Sequence, residues 1–143
     1  MSQGYHNISL RRIALNGGGD AKLDRALALE VPIALDYCGL GYAVMMATPT
    51  DLEEFAIGHA VAEGLVSSAD QVSQVDVAKL DGGYIVRATL PEEAREAIFA
   101  RARTRVSDSS CGLCGVESIE EALRSLPQVT ASIMTKREAI AKA

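Results

Sequence analysis

Apolar and polar positions in this chain follow a strand rhythm, switch to a helical one, and then repeat the sequence of changes. From Leu27 to Leu35 the run Leu-Ala-Leu-Glu-Val-Pro-Ile-Ala-Leu predicts a strand. Pro32 cannot donate to a ladder, which places that strand at a sheet edge or at a bulge. Asp36 to Gly41 reads as a turn, and the apolar run Tyr42 to Ala47 returns as the partner strand of a hairpin. Thr48-Pro49 favours an extended entry, and Thr50-Asp-Leu-Glu53 fits a capping box, so a helix is expected to begin at Asp51. Its spacing puts Leu52, Phe55, Ala56 and His59 on one face and Ile57, Val61 and Leu65 on an adjoining one, an arc broad enough to need extensive cover. Gly64 supplies a left-handed stop.

The second round begins at Val72. Val72 to Leu80 and Tyr84 to Leu90, joined by Asp81-Gly82-Gly83, predict another hairpin, and Pro91 opens a helix running to about Arg103. Glu117 to Leu126 carries Ile119, Ala122, Leu123 and Leu126 at helical spacing and stops at Pro127, while Thr135 to Ala143 looks like the first turns of a further helix. Residues 1–26, broken by Asn16-Gly-Gly-Gly-Asp20, read as a flexible N-terminal arm without regular structure. The expected class is therefore α+β: two β-hairpins packed with helices over residues 27–104, because the strands come in hairpins and not as βαβ units. Residues 105–143 form a separate C-terminal region.

Bulk properties narrow the function classes. The chain has 143 residues, 14 Lys and Arg against 19 Asp and Glu, and a net charge of -5. That balance argues against broad binding to nucleic acid or anionic membrane. Three cysteines are an odd number and do not fit a secreted disulfide framework, so the cytoplasm is the expected compartment. Neither a secretory leader nor a stretch of membrane-spanning length stands out.

The chemistry concentrates at Ser109-Ser-Cys111-Gly-Leu-Cys114-Gly-Val-Glu117, a Ser- and Gly-bearing loop after a helix. A pair at this spacing can hold a metal, cycle between dithiol and disulfide, or carry sulfur as a persulfide, and all three need the thiolate. A structural zinc site wants four ligands, and beyond the pair the chain offers Cys38, His6 and His59, so no tightly bound metal is expected. A thioredoxin-like dithiol would sit in a βαβ context at the start of a long helix. Buried structural thiols favour apolar neighbours, and these have Ser and Gly. The loop suits exposed thiolates, helped by the amides that open the helix near Glu117. Arg101, Arg103 and Arg105 either form a solvated helix face or steady sulfur or phosphate. His59 is read as a packed histidine with one nitrogen satisfied, and Cys38 as a small turn residue.

Two segments together resemble a family. Ala43-Val-Met-Met-Ala-Thr-Pro-Thr-Asp-Leu-Glu-Glu-Phe-Ala-Ile-Gly-His-Ala-Val-Ala-Glu-Gly-Leu65 and Ser109-Ser-Cys-Gly-Leu-Cys-Gly-Val-Glu117 are similar to the signatures of the FdhD proteins, the formate dehydrogenase accessory sulfurtransferases. Their order and separation agree, as does Glu30-Val-Pro-Ile33. The resemblance implies a sulfurtransferase that takes sulfane sulfur from a pyridoxal-dependent cysteine desulfurase. It would pass that sulfur to the bis-molybdopterin guanine dinucleotide form of the molybdenum cofactor, destined for formate dehydrogenase. It assigns the transfer to Cys111 and Cys114. It further implies that 105–143 begins a cytidine-deaminase-like region, which family members continue well beyond Ala143 and which helps build the cofactor site. Two alternatives stand beside this reading: a non-catalytic module docking a desulfurase or formate dehydrogenase, and a zinc-bridged dimer. His59 stands where the family usually has an aromatic such as Phe. The apolar stripe of Glu117 to Leu126 lacks a visible cover, so a homo-oligomer is expected.

Overall fold

The computed structural model describes residues 4–15, 17–104 and 118–142, and the cysteine loop lies outside them. Contacts divide the chain into two units. Unit 1 comprises Met1–Gly4 and Leu29–Arg124, and unit 2 comprises Tyr5–Ala28 and Ser125–Ala143.

Unit 1 is built from the two expected hairpins. Strands β3 (Val31–Tyr37) and β4 (Leu40–Ala47) pair antiparallel, as do β5 (Gln74–Leu80) and β6 (Gly83–Thr89). They join through a parallel pairing of β3 with β6, in the order β4-β3-β6-β5. Parallel neighbours need a crossover, and helix α1 (Leu52–Ala62) supplies it, lying on β5 and β6. Alternation along β3 sends Ile33, Leu35 and Tyr37 to one face, where all three are fully buried beside Val86 and Ala88. Ala56 and Ala60 of α1 lie in the same cluster, and their small size lets the helix backbone come close. Pro91 precedes a 3₁₀ turn (Glu92–Ala94) and helix α2 (Arg95–Thr104), which packs on β4 and buries Ile98 completely.

Several local signals act as the sequence reading expects. Gly64 at φ 63 ends α1 in a Schellman motif, with Leu65 N donating to Ala60 O and Gly64 N to Val61 O, each at 2.9 Å. Asp81-Gly82 closes a two-residue turn, with Gly82 at φ 83 and Leu80 opposite Gly83.

Others are overruled. Pro32 lies on an inner strand, at neither an edge nor a bulge. It is tolerated because the pairing with β6 starts one residue later, at Ile33, and the register shift of β3 falls at Leu35/Asp36. The strand expected over Leu27 to Leu35 is divided, since Leu27 and Ala28 belong to an earlier strand and β3 starts at Val31. The capping box at Thr50 does not form. Asp51 is the cap residue, in the left-handed region at φ 51 and without a side-chain cap bond, while Thr50 N donates to Thr48 O in the preceding turn. The second face of α1 is covered only in part: Leu65 is in the core and Ile57 is half-buried, but Val61 is 37% exposed. The helix expected from Glu117 to Leu126 is one turn, α3 (Ile119–Ala122), capped by Ser118 Oγ on Glu121 N at 3.1 Å. Ile119 is buried and ends the apolar stripe, as Leu123 and Leu126 are 52% and 71% exposed.

In unit 2 the expected arm is a hairpin. Strands β1 (Tyr5–Arg12) and β2 (Ala21–Ala28) pair antiparallel through eight residues each, and the glycine-rich break is their connection. Cross-strand partners explain it: Leu10 faces Leu23 and His6 faces Leu27, a match visible only once the strands are paired. Ser9 Oγ donates to Asp24, and Arg11 binds Asp20 Oδ2 at 2.7 Å. Helix α4 (Arg137–Ile140), also a single turn, brings Arg137 within 3.1 Å of the same oxygen. Partial burial raises the Asp20 pKa, but the Arg11 hydrogen bond and the charges of Arg137 and Arg11 outweigh it, holding the carboxyl below its ordinary value.

Two predictions follow from these contacts. A Cβ at Gly83 would collide with the Pro32 carbonyl and press on Ile119 Cδ1 at 3.1 Å, whereas at Gly58 it would meet nothing within 4 Å. Gly83→Ala should destabilise unit 1 by about 1–3 kcal/mol and Gly58→Ala should stabilise it by up to about 1 kcal/mol, read by denaturant titration. For Asp20, a lowered native pKa means that its contacts stabilise unit 2 above the unfolded value of about 3.9 and are lost as pH falls through the native value. A carboxyl-carbon NMR titration should place Asp20 below ordinary aspartates, and Arg11→Ala should move it up.

Candidate functional site

Cys111 and Cys114, the residues to which the sequence assigns chemistry, lie outside the described residues, as do Arg105 and Glu117. What can be described is how the loop is tethered. It leaves α2, seated by the buried Ile98 and Ala94, and ends at Ser118, where Ile119 packs beside Gly83. Both tethers are in unit 1. Arg101, on the last turns of α2, is exposed. The helix expected to open near Glu117 is the single turn α3, and the expected effect of its amides on a nearby thiolate falls on cysteines outside the described residues.

Among the described residues of unit 1, a polar and aromatic constellation surrounds His59. Tyr37 is fully buried, yet its hydroxyl is satisfied, 2.9 Å from Ala56 O and 2.9 Å from His59 Nδ1. The hydroxyl has one proton and the carbonyl can only accept, so Tyr37 donates to Ala56 and His59 Nδ1–H donates to Tyr37 Oη. The neutral ring then carries its lone pair on Nε2. Tyr37 stacks on His59 at 5.9 Å, Tyr42 meets it edge-on at 5.7 Å, and Phe55 lies 6.4 Å away. Tyr42 donates to Glu63 Oε2 at 3.1 Å, tying β4 to the end of α1. His59 is thus a packed histidine with one nitrogen satisfied, as its helix face predicts. The sequence reading missed its partner Tyr37, although the alternation of Ile33, Leu35 and Tyr37 signals that residue's inward direction.

Cys38 is a turn residue, at φ 56, with Sγ receiving Leu90 N at 3.3 Å and lying 3.5 Å from Leu90 O. It is a free thiol held by the backbone of the residue after β6. Among the described residues no three His, Cys, Asp or Glu side chains group as a metal site. An open groove of about 570 Å³ lies at the start of α1, lined by Pro49, Asp51, Leu52, Glu53, Glu54, Val77 and Tyr84. Its lining sets three acidic side chains beside the apolar Pro49, Leu52 and Val77.

Comparison with known proteins places the chain. Residues 28–143 match the model of the FdhD/NarQ family. The chain belongs to that family. It is 40% identical over 119 residues to the sulfur carrier protein FdhD of Agrobacterium fabrum, covering 83% of this chain and 44% of that protein. It is 39% identical over 127 residues to the sulfur carrier protein FdhD of Xanthomonas axonopodis pv. citri, covering 89% and 45%. The chain therefore spans less than half the length of these FdhD relatives. A protein from Desulfotalea psychrophila, solved as a candidate formate dehydrogenase accessory protein, superposes with a TM-score of 0.48 at 24% identity, over 60% of this chain and 38% of the other.

Removing the Tyr37 hydroxyl tests the constellation. Tyr37→Phe should cost about 1–3 kcal/mol in unfolding free energy, because it deprives the His59 Nδ1–H of this acceptor. Nitrogen NMR of the imidazole should show Nδ1–H as the dominant neutral tautomer in the parent, and a shift toward Nε2–H in the variant.

Proposed function

We propose that this chain is the sulfur-carrying part of an FdhD-type protein, with Cys111 and Cys114 as the carriers. The observation that bears most weight is the CxxC pair in its Ser/Gly loop, inside a segment that matches the family from residue 28 onward. The names of the relatives support the same reading, as both are sulfur carriers.

In this reading a thiolate of the pair attacks the terminal sulfur of a donor persulfide held by a cysteine desulfurase. A sulfur–sulfur bond forms on this chain as the donor's breaks, and the donor cysteine leaves as its thiolate, so the persulfide is passed on without net oxidation. Release is a redox step. The second cysteine attacks the inner sulfur, the Cys111–Cys114 disulfide forms, and the outgoing sulfur takes the electron pair and leaves as sulfide. A cellular dithiol then restores the pair by exchange. The acceptor is the bis-molybdopterin guanine dinucleotide cofactor, as substrate, and the client is formate dehydrogenase. The longer relatives would complete the cofactor site with a cytidine-deaminase-like region. This chemistry belongs in a reducing cytoplasm; among the described residues no helix is long and apolar enough to cross a membrane.

Intact-mass spectrometry after incubation with cysteine and a pyridoxal-dependent desulfurase tests the proposal. The parent should gain mass in units of sulfur, reversibly with reductant, and Cys111→Ala with Cys114→Ala should gain none. Equal labelling of the double variant, or no labelling of either protein, would refute the carrier role. Elemental analysis should find no stoichiometric zinc. One zinc per chain, or one per two chains, lost on replacing both cysteines, would favour a structural metal site instead.

A further inference from the structure

The sheet of unit 1 has two outer strands, and they are finished differently. Helix α2 packs on β4, where Tyr42, Ala43 and Val44 are buried. Strand β5 is open: five of its seven residues are exposed, and among the described residues no strand lies on its other side. It pairs with β6 through all seven residues without a register shift. Of the devices that blunt an edge, it has the charges of Asp76 and Lys79 but neither a proline nor a bulge, so it remains a template for another strand. Parity decides which main-chain groups that edge offers. Leu80 and Gly83 flank a two-residue turn as a hydrogen-bonded pair, so Ala78, Asp76 and Gln74 also bond to β6. The N–H and C=O groups of Val75, Val77 and Lys79 therefore point outward. Their side chains share a face with Ala88, Val86 and Tyr84, on the core side of the sheet. The groove at the start of α1 opens on that face, since Val77 and Tyr84 line it together with Asp51, Glu53 and Glu54. The opposite face of the edge presents Ala78 and Leu80, the latter 39% exposed. The groove residues from Pro49 to Glu54 all belong to the signature segment ending at Leu65, which the chemistry of the cysteine pair leaves unused.

We propose that the β5 edge and this groove dock an extended segment of a partner protein in which basic side chains alternate with β-branched ones. Its backbone adds a strand on the outward groups of Val75, Val77 and Lys79. Its basic side chains fall on the groove side, where the carboxylates of Asp51, Glu53 and Glu54 outnumber the single amine of Lys79. Its β-branched side chains rest on Ala78 and Leu80. Main-chain bonds supply the affinity, and the alternation of side chains selects the partner. An acidic strand is repelled by the groove, and a uniformly basic one sets charge against Leu80. Nucleic acid is a poor occupant, because its phosphates would meet the same carboxylates. This inference does not rest on the sulfur-carrier reading, since none of these residues belongs to the cysteine pair.

Amide hydrogen exchange followed by NMR on the full chain tests this, with the capped peptide Lys-Val-Lys-Thr-Lys-Val-Lys-Thr as the probe. In the free protein the amides of Val75, Val77 and Lys79 should exchange rapidly and those of Asp76 and Ala78 slowly. Saturating peptide should slow the outward three by at least about fivefold. Glu53→Gln with Glu54→Gln, both at exposed positions, should weaken binding by about tenfold and leave exchange in the free strand unchanged. A peptide with Glu in place of every Lys should bind at least about tenfold more weakly. Val77→Pro removes an outward N–H and should abolish the protection. A probe with proline at its centre makes the same test on the unaltered protein and should also fail to protect. No protection by the basic peptide, equal binding of the acidic one, or indifference to the two Gln substitutions would overturn the proposal. Slow exchange of the outward amides without peptide, deepening as protein concentration rises, would overturn it too by giving the edge to a second copy.

Discussion

A phenol hydroxyl in an apolar core must be hydrogen-bonded, and Tyr37 meets that need on helix α1. Its ring is wholly buried at the end of β3, and its hydroxyl spans to the Ala56 carbonyl and the His59 ring. The distance between helix and sheet is set by that reach. Larger side chains in place of Ala56 or Ala60 would push α1 away and strand the hydroxyl. Tyr42, through Glu63, ties the other strand of the hairpin to the same end of the helix. Together these bonds hold the crossover that lets β3 and β6 lie side by side in parallel.

The parallel pair in turn governs where the loop tethers sit. Because β3 meets β6 from Ile33 onward, Gly83 lies against the Pro32 carbonyl, and the space left by its missing side chain receives Ile119. The chain returning from the cysteine loop is thus anchored against the start of β3. The chain entering the loop is anchored by Ile98.

Burial and charge divide along the same line. Every buried residue among those described lies in unit 1, which is also the acidic unit, while unit 2 exposes aliphatic side chains among basic ones. The Arg11–Asp20–Arg137 contact joins the two chain segments of unit 2 by charge where packing does not. With Arg11 and Arg137 largely open to water, these pairs contribute little stability even though Asp20 is mostly shielded.

Much of this protein was legible in the sequence because the deciding forces act over a few residues. Gly64 and Gly82 adopt the left-handed backbone that their positions demand, Pro91 precedes a helical start, and alternation marks both hairpins of unit 1. The candidate cysteines and the family also come from sequence alone, since chemistry of that kind is written in residue type and spacing. The remainder was decided between distant segments. Thr50 and Glu53 have the capping-box residues, but the turn at Asp51 moves the helix start and separates them. Leu123 and Leu126 have helical spacing, but the covered site beside β3 has room for Ile119. Tyr5–Arg12 becomes a strand because β2, beyond a glycine-rich connection, offers it a matching row of side chains. Local pattern proposes an element, and long-range pairing selects among proposals because backbone hydrogen bonds and buried area are gained only when the partner arrives.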